Sequence, residues 1–130
     1  MAQNILRSTR TKATVKVSGN TGAETIAIGD LAKVGEDSTN GSVSILGVQW
    51  TGAVGGVATI TRGTSTAPIM VLAGEAASSL NLVETECADD IQATESIKVA
   101  ISGGEMAVYL LLRKEGYTVA DPQQYSELPY

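Results

Sequence analysis

The stretch Val43-Ser44-Ile45-Leu46-Gly47-Val48-Gln49-Trp50-Thr51 decides between the two architectures open to this chain. Its residues are strand formers, but the apolar set changes phase, from Val43 and Ile45 to Leu46, Val48 and Trp50. Side chains of a strand point alternately to opposite faces. A one-residue shift therefore calls for a bulge near Gly47 or for a strand that crosses between two sheets. Both devices suit a sandwich better than an up-and-down barrel with uniformly short turns.

Period-two alternation broken by glycine-rich turns extends to either side, and helical spacing is nearly absent. Ala13, Val15 and Val17 alternate with polar neighbours; Ser18-Gly19-Asn20-Thr21-Gly22 then turns the chain toward Ile26 and Ile28, which reads as a hairpin. The polar run from Gly29 to Ser42 reads as a surface excursion able to carry recognition. Thr51-Gly52-Ala53-Val54-Gly55-Gly56 leads into Val57 to Arg62 as a second hairpin. Ile69 to Ala73 is a nearly continuous apolar run, expected to lie centrally or to be covered on both faces, and Leu80 and Leu82 mark a short further strand. Ile97, Val99 and Ile101, the Gly103-Gly104 turn, and Met106, Val108, Leu110 and Leu112 form the strongest hairpin signal. The expected fold is all-β: an antiparallel two-sheet sandwich or jelly roll of about eight strands, with extended N- and C-terminal arms. With no phenylalanine in the chain, Ile, Val, Leu and Ala must fill the core, with Trp50 and Tyr109 as its larger pieces.

One core is expected, because 130 residues suit a single domain and can remove roughly two-thirds of their unfolded surface from water. The boundaries read as an arm over 1–11, the sandwich over 12–116 and a second arm over 117–130. Apolar runs are too short to cross a bilayer, and no charged segment with an apolar core marks a secretory leader, so neither membrane insertion nor export is expected. Nine basic against fourteen acidic residues give a net charge of −5, which disfavours nucleic acid as a partner. The charge is uneven: Arg7, Arg10, Lys12 and Lys16 gather early, whereas Glu84, Glu86, Asp89, Asp90 and Glu95 form an acidic segment read as a solvated loop.

Chemistry-bearing patterns are sparse. The chain has no histidine and a single cysteine, Cys87, so Ser-His-Asp and Cys-His arrangements and common zinc sites cannot be assembled within it. Gly52 to Gly56 lacks the Lys-Ser/Thr ending of a phosphate loop and precedes a strand. The acidic segment lacks the alternating Asp/Asn pattern and central glycine of a calcium loop, and nothing sets two of its carboxylates at a catalytic separation. The expectation is a non-enzymatic protein without a cofactor or metal.

The termini are the better candidates for function. The first eleven residues have no clear period and begin the basic cluster. The tail carries two prolines with Tyr117, Tyr125 and Tyr130 spaced along it, so it cannot continue a central strand. Tyrosine and leucine in such a segment suit ordering against a neighbouring surface or addition to a sheet edge. Arg7, Arg10, Tyr117, Tyr125, Leu128 and Tyr130 are thus the candidate partner-binding residues.

Three segments, Gly47-Val48-Gln49-Trp50, Thr59-Ile60-Thr61-Arg62-Gly63 and the run from Tyr109 to Tyr117, resemble small virion proteins of tailed bacteriophages, particularly marine ones. The resemblance implies a β-sandwich that decorates or cements a capsid, often as a symmetric oligomer, its arms gripping the major capsid protein. The expected location is then the capsid surface of the virion, after synthesis in the host cytoplasm. Two alternatives stand beside it: a tail, neck or fibre component, and a glycan-binding module presenting Trp50 or a tyrosine at a loop surface. Exposed sheet edges also favour a homo-oligomer.

Overall fold

The computed structural model describes residues 1–64, 68–75, 78–81 and 94–119. The strands are β1 (Ala2–Ser8), β2 (Lys12–Gly19), β3 (Gly22–Ile26), β4 (Glu36–Asp37), β5 (Ser42–Gly52), β6 (Val57–Arg62), β7 (Met70–Ala73), β8 (Ser78–Asn81), β9 (Ile97–Ser102), β10 (Met106–Glu115) and β11 (Thr118–Val119). A 3-10 turn at Ile28–Leu31 is the single helical element among the described residues. Sheet A runs β1-β2-β10-β5-β8, sheet B runs β3-β9-β6-β7, and β4 pairs with β11 in a two-stranded ribbon. All pairings are antiparallel. Setting aside β1 and the small ribbon, two four-stranded sheets face one another and the chain passes from one to the other at nearly every turn. That path is a jelly roll, one of the arrangements that limit exposed strand edges.

This topology corrects the three expected hairpins. β2 lies in sheet A and β3 in sheet B; β5 and β6 are likewise split, and so are β9 and β10. The turns are where the sequence places them, but each is a corner that carries the chain across the core. Glycine-rich turns mark where a chain reverses, and both arms alternate whether they hydrogen-bond side by side or face each other about 10 Å apart. Among the described residues the sequential strands that do pair are β1 with β2 and β6 with β7.

The phase change in β5 is a bulge. Leu111 of β10 pairs with Gly47 and Leu112 with Ile45, leaving Leu46 as the extra residue. Val43 and Ile45 point inward before it and Val48 after it, so a long strand keeps its apolar side on the core despite its twist. Val15, Val17, Ile60, Val99, Val108, Leu110 and Leu112 complete the buried interior between the sheets. Trp50 is half-buried against this core, and its Nε1 donates to the Ala73 carbonyl at 2.9 Å, tying sheet A to the edge of sheet B.

Two strand placements differ from expectation. Among the described residues β7 pairs with β6 alone, as an edge of sheet B with Val71 58% exposed, so its apolar run is neither central nor covered on both faces. A continuous apolar run resembles a buried strand, but β7 is short and buries Leu72 while Val71 faces solvent. Much of the expected N-terminal arm is strand β1, extended along β2 with a second bulge that leaves Leu6 between Ile5 and Arg7. That bulge hides the period that would have identified a strand. The expected C-terminal arm lies outside the described residues beyond Val119, as do Cys87 and most of the acidic segment.

At one end of the sandwich the corner between β9 and β10 abuts the corner between β5 and β6. Gly103 has φ +77°, and a Cβ there would stand 2.3 Å from the Gly55 carbonyl oxygen. Backbone strain and a clash with main chain therefore coincide at this site. Gly103→Ala is expected to lower stability by about 2 kcal/mol or more, measured by urea denaturation; a loss within about 0.5 kcal/mol would show that the two corners can separate without cost.

Candidate functional site

Arg7 and Arg10 are exposed near the end of β1. Arg7, Thr9, Lys12, Thr14 and Leu111 enclose a shallow depression of about 200 Å³. Arg113 pairs with Lys12 across the strands, but its charge is engaged by Glu115 at 2.9 Å. Tyr125, Leu128 and Tyr130 lie outside the described residues.

Tyr117 is corrected. It is 6% exposed and belongs to the core, so it is not available to a partner. Its hydroxyl donates to the Ile28 carbonyl, and its ring centroid lies 4.5 Å from Lys114 Nζ. Lys114 stands at an inward position of β10, where an alternating strand would place an apolar residue. Its Nζ donates to Ser8 Oγ at 2.8 Å, the Thr9 carbonyl at 2.9 Å and Glu36 Oε1 at 2.8 Å. The Lys114 and Glu36 side chains are both fully buried. Ser8 Oγ in turn donates to the Leu31 carbonyl, and Glu36 Oε1 also accepts the Lys33 amide. Three ammonium protons thus meet three acceptors under an aromatic face, an arrangement that holds Nζ charged and leaves it no lone pair for attack. The excursion from Gly29 to Ser42 is accordingly the lid of this cluster, contributing the buried Leu31 and the Glu36 carboxylate.

Burial pushes the Lys114 ammonium below its ordinary value, opposed by the hydrogen bond and charge of Glu36. Burial pushes the Tyr117 phenol well above its ordinary 10.0, helped by the Glu36 and Asp30 carboxylates.

The outer face of sheet A carries a second arrangement. Asn4, Lys16, Tyr109, Gln49 and Ser79 are direct cross-strand partners in one row over β1, β2, β10, β5 and β8. Tyr109 is therefore not a core piece as expected; it stands half-exposed on the outer face, because it falls on the odd phase of β10 between buried Val108 and Leu110. Lys16 Nζ lies over its ring, 5.7 Å from the centroid. On the other side of the ring, Gln49, Trp50, Thr51, Ser78 and Ser79 join Tyr109 in lining an open groove of about 380 Å³. The groove was readable only in part: alternation in β5 and β10 separately places Gln49 and Tyr109 outward, but their adjacency depends on strand order.

Among the described residues no three His, Cys, Asp or Glu side chains gather as a metal site, and no helix is long and apolar enough to cross a membrane. No protein-family model and no curated protein matches the chain. Among solved structures, a protein of Ralstonia eutropha JMP134, provisionally titled a mannose-6-phosphate isomerase, aligns over 88% of this chain and 84% of its own at 16% identity, with a TM-score of 0.35. A likeness of that size carries no functional argument.

Two outcomes are expected of the buried cluster. Glu36→Gln and Lys114→Met should each cost about 3 kcal/mol in urea denaturation, because each leaves its partner buried without its counter-charge; costs below about 1 kcal/mol would mean that water reaches the pair. The Tyr117 phenol has a folded value raised above the unfolded 10.0, so its stabilisation is complete below that pH and is lost as pH rises through the folded value. Lys114 acts in the opposite sense, since its folded value lies below the unfolded 10.5 and stability rises with pH across that window. The stability difference between the wild type and Tyr117→Phe, about 1 kcal/mol at neutral pH, should narrow above pH 10; a constant difference up to pH 11 would contradict the assignment.

Proposed function

We propose that this chain is a non-enzymatic virion structural protein, a capsid decoration protein that binds the major capsid protein. The observation that carries the reading is the use made of the buried Lys114–Glu36 cluster. Lys114 and Glu36 are enclosed and mutually satisfied, so they serve as a fastener rather than as an acid and base facing a substrate. A protein that reinforces a shell needs a rigid body and outward-facing attachment surfaces. The jelly roll supplies the first. The second is β1, an edge strand whose outer side pairs with no described strand and which presents Arg7 and the 54% exposed Leu6. The −5 net charge agrees with a protein partner rather than nucleic acid.

Because Ser8 belongs to the buried cluster, removing the whole N-terminal stretch would disturb the fold, and point substitutions on β1 make the cleaner test. Recombinant protein is expected to co-sediment with purified expanded capsids lacking their decoration, with Leu6→Asp and Arg7→Glu each weakening retention about tenfold or more. No retention of the wild-type chain would reject capsid decoration, and retention on tails alone would favour the tail-component alternative.

A further inference from the structure

We propose that the groove on the outer face of sheet A is a binding site for a neutral saccharide, with Tyr109 as its apolar wall and Gln49 and Ser79 as its hydrogen-bonding floor. A sugar ring has apolar C–H faces and a rim of hydroxyls that both donate and accept. A site for it needs an aromatic surface beside amide and hydroxyl groups, and no fixed charge that would have to be desolvated without a partner. The groove has that composition: the residues that line it carry an amide, three hydroxyl groups and two aromatic rings, and none is ionised at neutral pH. Its volume of about 380 Å³ lies within the range of small-molecule sites and is suited to one or two pyranose rings.

Preorganisation strengthens the case. Tyr109, Gln49 and Ser79 sit directly opposite one another on β10, β5 and β8, so hydrogen-bonded main chain sets their spacing at about 4.8 Å per strand. The Lys16 ammonium lies over the Tyr109 ring from the β2 side and restrains it, while the groove opens on the β5 side. Trp50 borders the groove, and the bond from its Nε1 to the Ala73 carbonyl holds it in place. Among the described residues nothing takes a hydrogen bond from the Gln49 amide or the Ser79 hydroxyl, so both can turn to a ligand. Thr51 Oγ1, by contrast, already donates to the Glu75 carbonyl at 3.3 Å. An anionic ligand is better served by the depression between Arg7 and Lys12, on a different part of the same face. The two sites differ in charge and in residues, so saccharide binding is independent of the capsid reading.

The test is an NMR titration of the full chain, labelled with nitrogen-15, with maltotriose, mannotriose and N-acetylchitotriose, each at millimolar concentration. At least one sugar is expected to shift the amides around Gln49, Ser79 and Tyr109 in a saturable way that added salt does not change. Gln49→Ala and Tyr109→Ala should each weaken binding about tenfold. Tyr109→Phe should retain most of it, and Lys98→Ala, on sheet B, should leave it unchanged. All three positions are at least partly exposed, and dispersed spectra will show that the four variants remain folded. Absence of shifts with all three sugars, binding that survives Tyr109→Ala, or a response that added salt abolishes would each overturn the proposal.

Discussion

The Lys114 ammonium is sealed from solvent and must find all its acceptors inside the protein. It finds one on the end of β1, one on the turn that follows, and one on the excursion between the sheets. These segments are far apart in sequence, Ser8 being 106 residues from Lys114 and Glu36 being 78. A charge that is stable only when all three are present links the edge strand, the lid and the end of β10 into one cooperative unit. Tyr117 then covers the cluster and brings the chain to its pairing with β4. Such a pair adds little to stability compared with an apolar filling of equal volume, but any packing that leaves it incomplete is penalised. It acts mainly on which arrangement is reached.

The rest of the interior follows a simpler rule. Alternating apolar residues from both sheets fill the space between them, and the bulge at Leu46 lets β5 stay in register with β10 through a change of phase. The corners are the demanding points, since each carries the chain from one layer to the other within a few residues. At the Gly103 end two corners touch main chain to main chain, which leaves no room for a side chain.

With its core and buried charges occupied in this way, the molecule has its outer surfaces left for recognition. The two polar features of sheet A, the basic depression near Arg7 and the uncharged groove beside Tyr109, share one rigid face but suit ligands of different charge. Both are made mainly by strand residues. Both arise because β10, at the centre of sheet A, turns every second side chain outward toward neighbours on adjacent strands.

The sequence by itself determined the all-β class, most of the longer strands and the phase change in β5, because these depend on short-range alternation and on turn residues; that the phase change is a bulge and that the first residues form β1 came from the strand pairing. It also placed Trp50 as an anchor and the 97–101 and 106–112 stretches as strands. It could not tell a hairpin from a corner, since that choice depends on which strands pair at long range. It took the inward Lys114 for part of a strand without seeing its partners, and it took Tyr117 for part of a tail because proline-rich sequence follows. Tyr109 was counted with the core because an aromatic in an apolar run looks buried until the phase of the strand is known. Only the tertiary structure brought Ser8, Glu36 and Lys114 together and set Asn4, Lys16, Tyr109, Gln49 and Ser79 in one row. The physical reason is that burial of a charge and adjacency across strands are properties of pairs distant in the chain, whereas alternation is local.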